Sequence, residues 1–398
     1  MLKATLIIFR EVNMSSVKVN RQSQCEPVFN NIVKWAKNIF GLKQKDQSNF
    51  EKKVIFVVGV YKCGTSWLSY ALGKHPQAMA LPELDVIRAF AKENTRNLHP
   101  RSVDERIKYI FSASNYGRLP AAITNESCGV AHGEMFDYFE QNANKQIILK
   151  NSLTGQEFDR QRAFRLTGQG CGLKSYLNYW QLDKASAEKL FATAIFNSNP
   201  KEAIRAFCKI HQDFSGEFLV LKSADQINHL GHLKDIMPNS PRILIIRDGR
   251  DMAISATKFE QYVREKTHFG DIWGVVEQGF WRRLEQWVHV VHSVNEYEKH
   301  GDLYVLRYED LSFDFLNTFS KLLDWIGLDS SKEIVEEIKR ESSFEKMSGG
   351  RSKGCEDMSS NIRKGISGEW RSFLSKPDKE KAWEIAGKEL ATFGYEKL

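Results

Sequence analysis

Residues 54–73 read VIFVVGVYKCGTSWLSYALG, and no other stretch restricts the fold as strongly. Its first six residues, Val54–Gly59, are uncharged and rich in β-branched side chains, as in a strand buried on both faces of a parallel sheet. Gly59 closes that run, a tight loop follows, and a helix is predicted from near Thr65. A buried strand feeding a helix through so short a loop is half of a βαβ unit, which points to an α/β fold with a parallel sheet. It also has a chemical consequence. Backbone N–H groups at the start of such a helix point into the loop with the helix dipole behind them, forming a cradle for an anion.

The same pattern recurs downstream. Short apolar runs at 218–221, Arg242–Ile246 and 303–306 read as further buried strands. Phe280, Leu284, Trp287, Val291 and Val294 step by four and three along a helix at 280–294. A second helix at 315–326 is closed by Gly327 in the C′ position. The expected fold class is therefore α/β, a P-loop-like parallel sheet flanked by helices. Between about 92 and 215 the pattern gives way to polar, Asn- and Gly-rich sequence with helical patches at 186–196 and 201–210. We read this region as a large, partly helical insertion into a domain spanning 51–398, with 1–50 as an N-terminal appendage. Ile32, Trp35, Ala36, Ile39 and Phe40 give that appendage one short amphipathic helix.

Lys and Arg number 57 against 50 Asp and Glu, a net charge of +7 that suits an anionic ligand. No long basic stripe and no aromatic-studded RNA motif accompanies it, so a nucleic-acid partner is not expected. The six cysteines (25, 63, 128, 171, 208 and 355) form no CxxC pair and have no His at zinc-finger spacing. Neither a metal nor a disulfide framework is expected, and reduced thiols fit a cytoplasmic location. No run approaches the roughly 20 apolar residues that span a bilayer, so no transmembrane segment is expected.

Two further segments suit anions. In RILIIRDGRDMAISATKF a strand ends at Arg247 and a helix is predicted from about Asp251, so Arg247 and Ser255 could converge on one phosphate. In NIRKGISGEW, at 361–370, Arg363, Lys364 and Gly365 bring two cations and an approachable backbone. The first loop is also informative for what it lacks. Gly59 and Gly64 keep the glycine spacing of a Walker A loop, but Thr65 stands where its lysine belongs, and a lysine lies inside the loop at Lys62. A Walker lysine reaches the β- and γ-phosphates of a triphosphate beside magnesium. Lys62 would instead meet the bridging oxygen or terminal group of a shorter donor.

Taken together, these residues resemble the sulfotransferase family that uses 3′-phosphoadenosine 5′-phosphosulfate (PAPS). YKCGTSWL is similar to its 5′-phosphosulfate loop, with Cys63 and Ser66 as departures, and RDGRDMAIS to its 3′-phosphate motif. YEDL at 308–311, SSFEKM at 342–347 and RKGISGEW follow in the family's order. The resemblance implies that Lys62, Cys63, Gly64, Thr65, Ser66 and Trp67 surround the phosphosulfate. It implies that Arg247, Ser255, Arg363, Lys364 and Gly365 hold the 3′-phosphate, that Phe344 and Trp67 flank adenine, and that Tyr308 lies nearby. PAPS is then the donor, and no metal is required.

The base follows less directly. Members acting on phenols and steroids carry a His two residues after a Lys; here Lys222 matches, but that position is Ala224. In HPQAMALPELDVIR, Glu83 falls where protein-tyrosine sulfotransferases place a catalytic Glu, and Leu81, Pro82 and Leu84 could desolvate it. The expected catalytic residues are thus Glu83, Lys62 and Lys222, with His229, His232 and His268 as competitors for the base. The acceptor, of unknown class, would offer a hydroxyl or an amine. A P-loop kinase, or a PAPS-binding member with little turnover, are the alternatives. The kinase lacks a Walker lysine and has Arg247 where a Walker B carboxylate would follow a strand.

Overall fold

The computed structural model describes residues 49–80, 86–87, 91–93, 98–100, 148–150, 157–159, 200–205, 208, 217–222, 224–267, 279–298, 303–358, 360 and 362–397. The N-terminal appendage, apart from residues 49 and 50, and most of the expected insertion lie outside the described residues.

After helical residues 49–51, the described part of the chain runs through β1 (Val54–Gly59), α1 (Thr65–Leu72) and β2 (Ala78–Ala80). Two antiparallel pairs follow, β3 (Ala91–Glu93) with β4 (Leu98–Pro100) and β5 (Ile148–Lys150) with β6 (Glu157–Asp159). Within the insertion, residues 200–205 are helical. β7 (Phe218–Lys222) leads through a 3-10 turn at Ala224–His229 into α2 (Leu230–Ile236). Next come β8 (Arg242–Ile246), α3 (Gly249–Thr267), α4 (Gly279–Glu298) and β9 (Leu303–Arg307). The remaining elements are helices: α5 (Tyr308–Phe313), α6 (Phe315–Ile326), α7 (Lys332–Glu341), α8 (Phe344–Met347), α9 (Trp370–Phe373) and α10 (Lys376–Thr392).

Five strands form one sheet in the order β2–β7–β1–β8–β9, every pair parallel. The apolar runs are continuous because both faces are covered. Ile55, Val57, Val220, Ile243 and Ile245 pack with Leu68 and Leu72 of α1 and Phe319 and Leu322 of α6. Their alternate neighbours Phe56, Val58, Leu219, Leu244 and Ile246 pack with Leu233 of α2, Met252 of α3, Trp287 of α4 and Leu390 of α10. The period of two along each strand assigns these residues to opposite faces.

Two boundaries differ from the sequence reading in a way that matters. β7 and β9 each run one residue further, pairing Val57 with Lys222 and Ile246 with Arg307. Ladder hydrogen bonds are made by the backbone, so a strand can end on a cation that the apolar pattern leaves out. α3 starts at Gly249, ahead of the expected Asp251, because the Asp248 carboxylate accepts the Arg250 N–H at 2.9 Å and caps the helix.

β1 lies between β7 and β8, so the chain that leaves β1 on one side returns on the other. Ligands of open α/β sheets bind at the carboxyl ends of the strands at such a reversal. The approach there is close: a Cβ on Gly59 would lie 2.6 Å from the Ile245 carbonyl oxygen and 2.8 Å from Thr65 Cγ2. We expect Gly59→Ala to cost about 1–3 kcal/mol through overpacking, read as a lower urea midpoint. An unchanged midpoint would mean that β1 and β8 have room to part.

Candidate active site

The loop after β1 is held in an unusual conformation. Lys62 has a φ of 64°, left-handed for a side chain that ordinarily avoids that region. Its carbonyl accepts from Arg247 Nη1 at 3.4 Å, and the next N–H, that of Cys63, donates to Val60 O at 3.0 Å. Gly64, at φ 100°, precedes α1 without a side-chain cap. Only glycine fits there, since a Cβ would meet the Tyr308 ring at 2.7 Å. The first helical hydrogen bond runs from Leu68 N–H to Gly64 O, so the N–H groups of Thr65, Ser66 and Trp67 precede it. Of the residues expected around the phosphosulfate, the Cys63 amide is therefore engaged inside the loop. Its thiol is buried, which pushes its pKa up to about 12.

Lys62 is half-buried with its ammonium 4.4 Å from the centre of the Phe259 ring. Burial pushes its pKa down to about 7, assisted by the positive charges of Arg363, Arg247 and Lys222, while Glu260 opposes the shift. These four cations come from four separate segments, and the fold gathers them at one end of the sheet. Lys222 is the buried last residue of β7, and Arg247 directly follows β8.

Arg247 is the link between the segments. Besides the Lys62 carbonyl it donates to Ile366 O at 2.9 Å, and its guanidinium lies 4.9 Å from the centre of the Tyr308 ring. Asp251 stands 3.9 Å away and offsets part of its charge. Its Nε, like that of Arg363, is buried without a hydrogen-bond partner. Ser255 is buried one turn beyond Asp251 on α3.

The third segment folds back onto α3. Asp251 accepts the N–H groups of Gly368 and Trp370, the latter at 2.9 Å, and Arg250 stacks 3.5 Å from the centre of the Trp370 ring. Gly365, at φ 70°, lies flat against the Phe344 ring, where any Cβ would collide. The Trp67 indole donates to Ser342 O at 2.9 Å, which brings α1 beside the segment that opens α8. Trp67 also meets Tyr308 edge-on at 5.4 Å. The expected adenine residues are thus joined through Ser342.

Arg363 and Lys364 have partners the sequence did not suggest. Arg363 forks onto both oxygens of Glu369 and also reaches Glu356, and Lys364 Nζ lies 3.3 Å from Glu369. Lys258 on α3 joins them, 3.0 Å from Glu369 and 3.2 Å from Glu356. Burial works against the charge on Glu369, but its bonds to Arg363 and Lys258 hold its pKa at about 2. Lys258, Glu356, Glu369 and Asp251 were not among the expected site residues. Only Lys258, three positions after Ser255 on a helix, carried a local signal.

Glu83 and His268 lie outside the described residues. His229 is buried in the 3-10 turn, its ring 6.2 Å from that of His232 on α2. Among the described residues no group of three or more His, Cys, Asp and Glu is placed to hold a metal ion, and no helix is long and apolar enough to cross a membrane.

Residues 229–394 match the family described as "Sulfotransferase domain", a span that includes the second and third segments but not the Lys62 loop. A mouse sulfotransferase complexed with PAP aligns over 85% of this chain and 84% of its own at 13% identity, with a TM-score of 0.42. The sulfotransferase domain from the curacin biosynthetic pathway aligns over 86% and 97% at 16% identity, with a TM-score of 0.47. A sulfotransferase from Mycobacterium avium aligns over 92% and 86% at 15% identity, with a TM-score of 0.42. No curated protein sequence gives a significant match. The chain resembles the PAPS-dependent sulfotransferase family, and its match to the sulfotransferase domain covers residues 229–394.

Proposed function

We propose that this chain transfers a sulfuryl group from PAPS to a hydroxyl or amine acceptor and releases adenosine 3′,5′-bisphosphate. The observation that carries the reading is the convergence of Lys62, Lys222, Arg247 and Arg363, close enough for the other three to depress the pKa of Lys62. A bound anion would be attracted to all four positive charges. The residues fit the donor: uncapped N–H groups at α1 and Lys62 suit a phosphosulfate, and the buried Nε atoms of Arg247 and Arg363 suit a second phosphate.

PAPS would supply an activated sulfuryl group, whose in-line displacement asks a protein chiefly for position and charge, as phosphoryl transfer does. In this reading Lys62 and Lys222 offset the charge that develops on the leaving phosphate. Arg247, Ser255, Arg363, Lys364 and Gly365 grip the 3′-phosphate, and Phe344, Trp67 and Tyr308 bound the adenine. Glu83 takes the acceptor's proton, a role assigned from its place in the sequence.

The donor reading predicts that adenosine 3′,5′-bisphosphate stabilises the protein far more than AMP or ATP with Mg²⁺. At 100 times Kd the gain is about 2.7 kcal/mol, read as a thermal shift. Equal stabilisation by bisphosphate and AMP would refute the 3′-phosphate site, and binding without turnover of labelled PAPS across acceptor classes would leave a non-catalytic binder.

Lys62 gives a pH signature. Its folded pKa of about 7 lies below the ordinary 10.5, so above pH 7 the free protein carries a largely neutral amine. A bound anion favours the ammonium and raises that pKa. Binding at pH 8 should therefore take up a proton, and affinity should fall as pH rises above about 7. Calorimetry in buffers of different ionisation enthalpy reads the uptake. Lys62→Met should abolish it, and wild-type binding with no proton uptake would remove Lys62 from the anion site.

Glu83→Gln should lower kcat by about 10² to 10⁴ while leaving bisphosphate affinity unchanged. His229→Asn, His232→Asn and His268→Asn are the comparisons. Normal turnover in Glu83→Gln alongside a dead histidine variant would move the base to that histidine.

A further inference from the structure

The cluster around Arg363 contains more charge than the nucleotide motif accounts for. Three cations, Lys258, Arg363 and Lys364, face two carboxylates, Glu356 and Glu369. The two carboxylates differ. Glu369 has 5% of its side chain exposed and takes the fork of Arg363, and the next residue, Trp370, is fixed by its N–H on Asp251. Glu356 is 31% exposed and makes one bond to Arg363 and one, at 3.2 Å, to Lys258. Glu369 is built in, whereas Glu356 can leave.

It can leave cheaply. Gly354 N–H donates to Lys364 O and Asp357 N–H to Arg363 O, both at 2.9 Å, so the backbone on either side of Glu356 is pinned to residues 363 and 364. Rotation of one side chain therefore releases Lys258 and Arg363 from Glu356, leaving both on Glu369, without unfolding the loop. With Glu356 turned away, the cluster keeps two unbalanced positive charges. A phosphate monoester carries about −1.5 to −2 at neutral pH. Lys258 lies one helical turn from Ser255 on the same face of α3, with 22% of its side chain exposed.

We propose that Lys258 is an additional contact for the 3′-phosphate, and that the Glu356 carboxylate occupies the phosphate's place on Lys258 and Arg363 until the nucleotide displaces it. This rests on the donor reading above and adds to it a specificity residue and a built-in competitor. In the empty protein Glu356 adds a second carboxylate to cations already held by Glu369 and brings the cluster closer to neutral. A nucleotide lacking the 3′-phosphate leaves that pairing in place and gains nothing from these cations.

The test is calorimetric binding of adenosine 3′,5′-bisphosphate and of AMP to the full chain and to Glu356→Gln, Lys258→Met and the double variant. Glu356→Gln should bind the bisphosphate about tenfold more tightly, the scale of one charged hydrogen bond, with no gain for AMP. Lys258→Met should bind the bisphosphate about tenfold more weakly. The double variant should show a coupling between the two sites rather than a simple sum. A gain of affinity cannot come from a misfolded protein. Unchanged or weaker binding by Glu356→Gln, or an equal gain for AMP, would overturn the competitor, and unchanged binding by Lys258→Met would overturn the contact. If the wild type itself does not prefer the bisphosphate to AMP, the donor reading fails first and this proposal with it.

Discussion

The guanidinium of Arg247 touches three of the segments that make the site. It reaches the Lys62 carbonyl from one side, the Ile366 carbonyl from another, and lies against the Tyr308 ring. Those residues belong to the loop after β1, the return segment before α9, and the start of α5. A planar cation with several donors can serve three neighbours at once, which a lysine in the same place could not. The backbone carbonyl of Arg247 is used as well, accepting from the buried Trp287 indole at 3.1 Å. This residue is therefore held at both ends, and the left-handed loop leans on it.

A buried cation needs compensation, and the first turn of α3 supplies it. Asp251 stands near Arg247 and accepts two backbone N–H groups from the return segment. Burial raises the pKa of Asp251, while Arg247 and those N–H groups act in the opposite direction. One position further toward the N-terminus, Arg250 binds Asp248, stacks on Trp370 and donates to the carbonyls of Glu396 and Lys397. Tyr395 donates to Glu309 at 2.8 Å. The carboxyl-terminal residues thus close over the edge formed by β8 and β9, and the site sits on a support assembled from distant parts of the chain.

The balance of charge is uneven across the site. Around Lys62, burial and the positive charges of Arg363, Arg247 and Lys222 lower the lysine's affinity for its proton. Around Arg363 the carboxylates of Glu356 and Glu369 bring the charges close to parity. A low-dielectric setting magnifies both conditions. One half of the site is poised to gain from an incoming anion. The other half must give up an internal one.

Strands β1 and β8, helix α6 with its Gly327 cap, and the loop from Gly59 to Thr65 were all legible in the sequence, because strand burial and helix capping leave their marks within a few residues. The order of Lys62, Lys222, Arg247 and Arg363 at strand ends and in loops was legible for the same reason. Their partners were not. Glu51 with Arg205, Trp67 with Ser342, and Asp251 with Trp370 join residues more than a hundred positions apart. Glu356 and Glu369, though near Arg363 in the chain, read as ordinary surface charges until α3 brought Lys258 against them. The sequence by itself determined which elements form and which cations the sheet presents, since those follow from local pattern. Which carboxylate neutralises which cation was decided only by the tertiary structure, because a charge is paired by whatever packing places beside it.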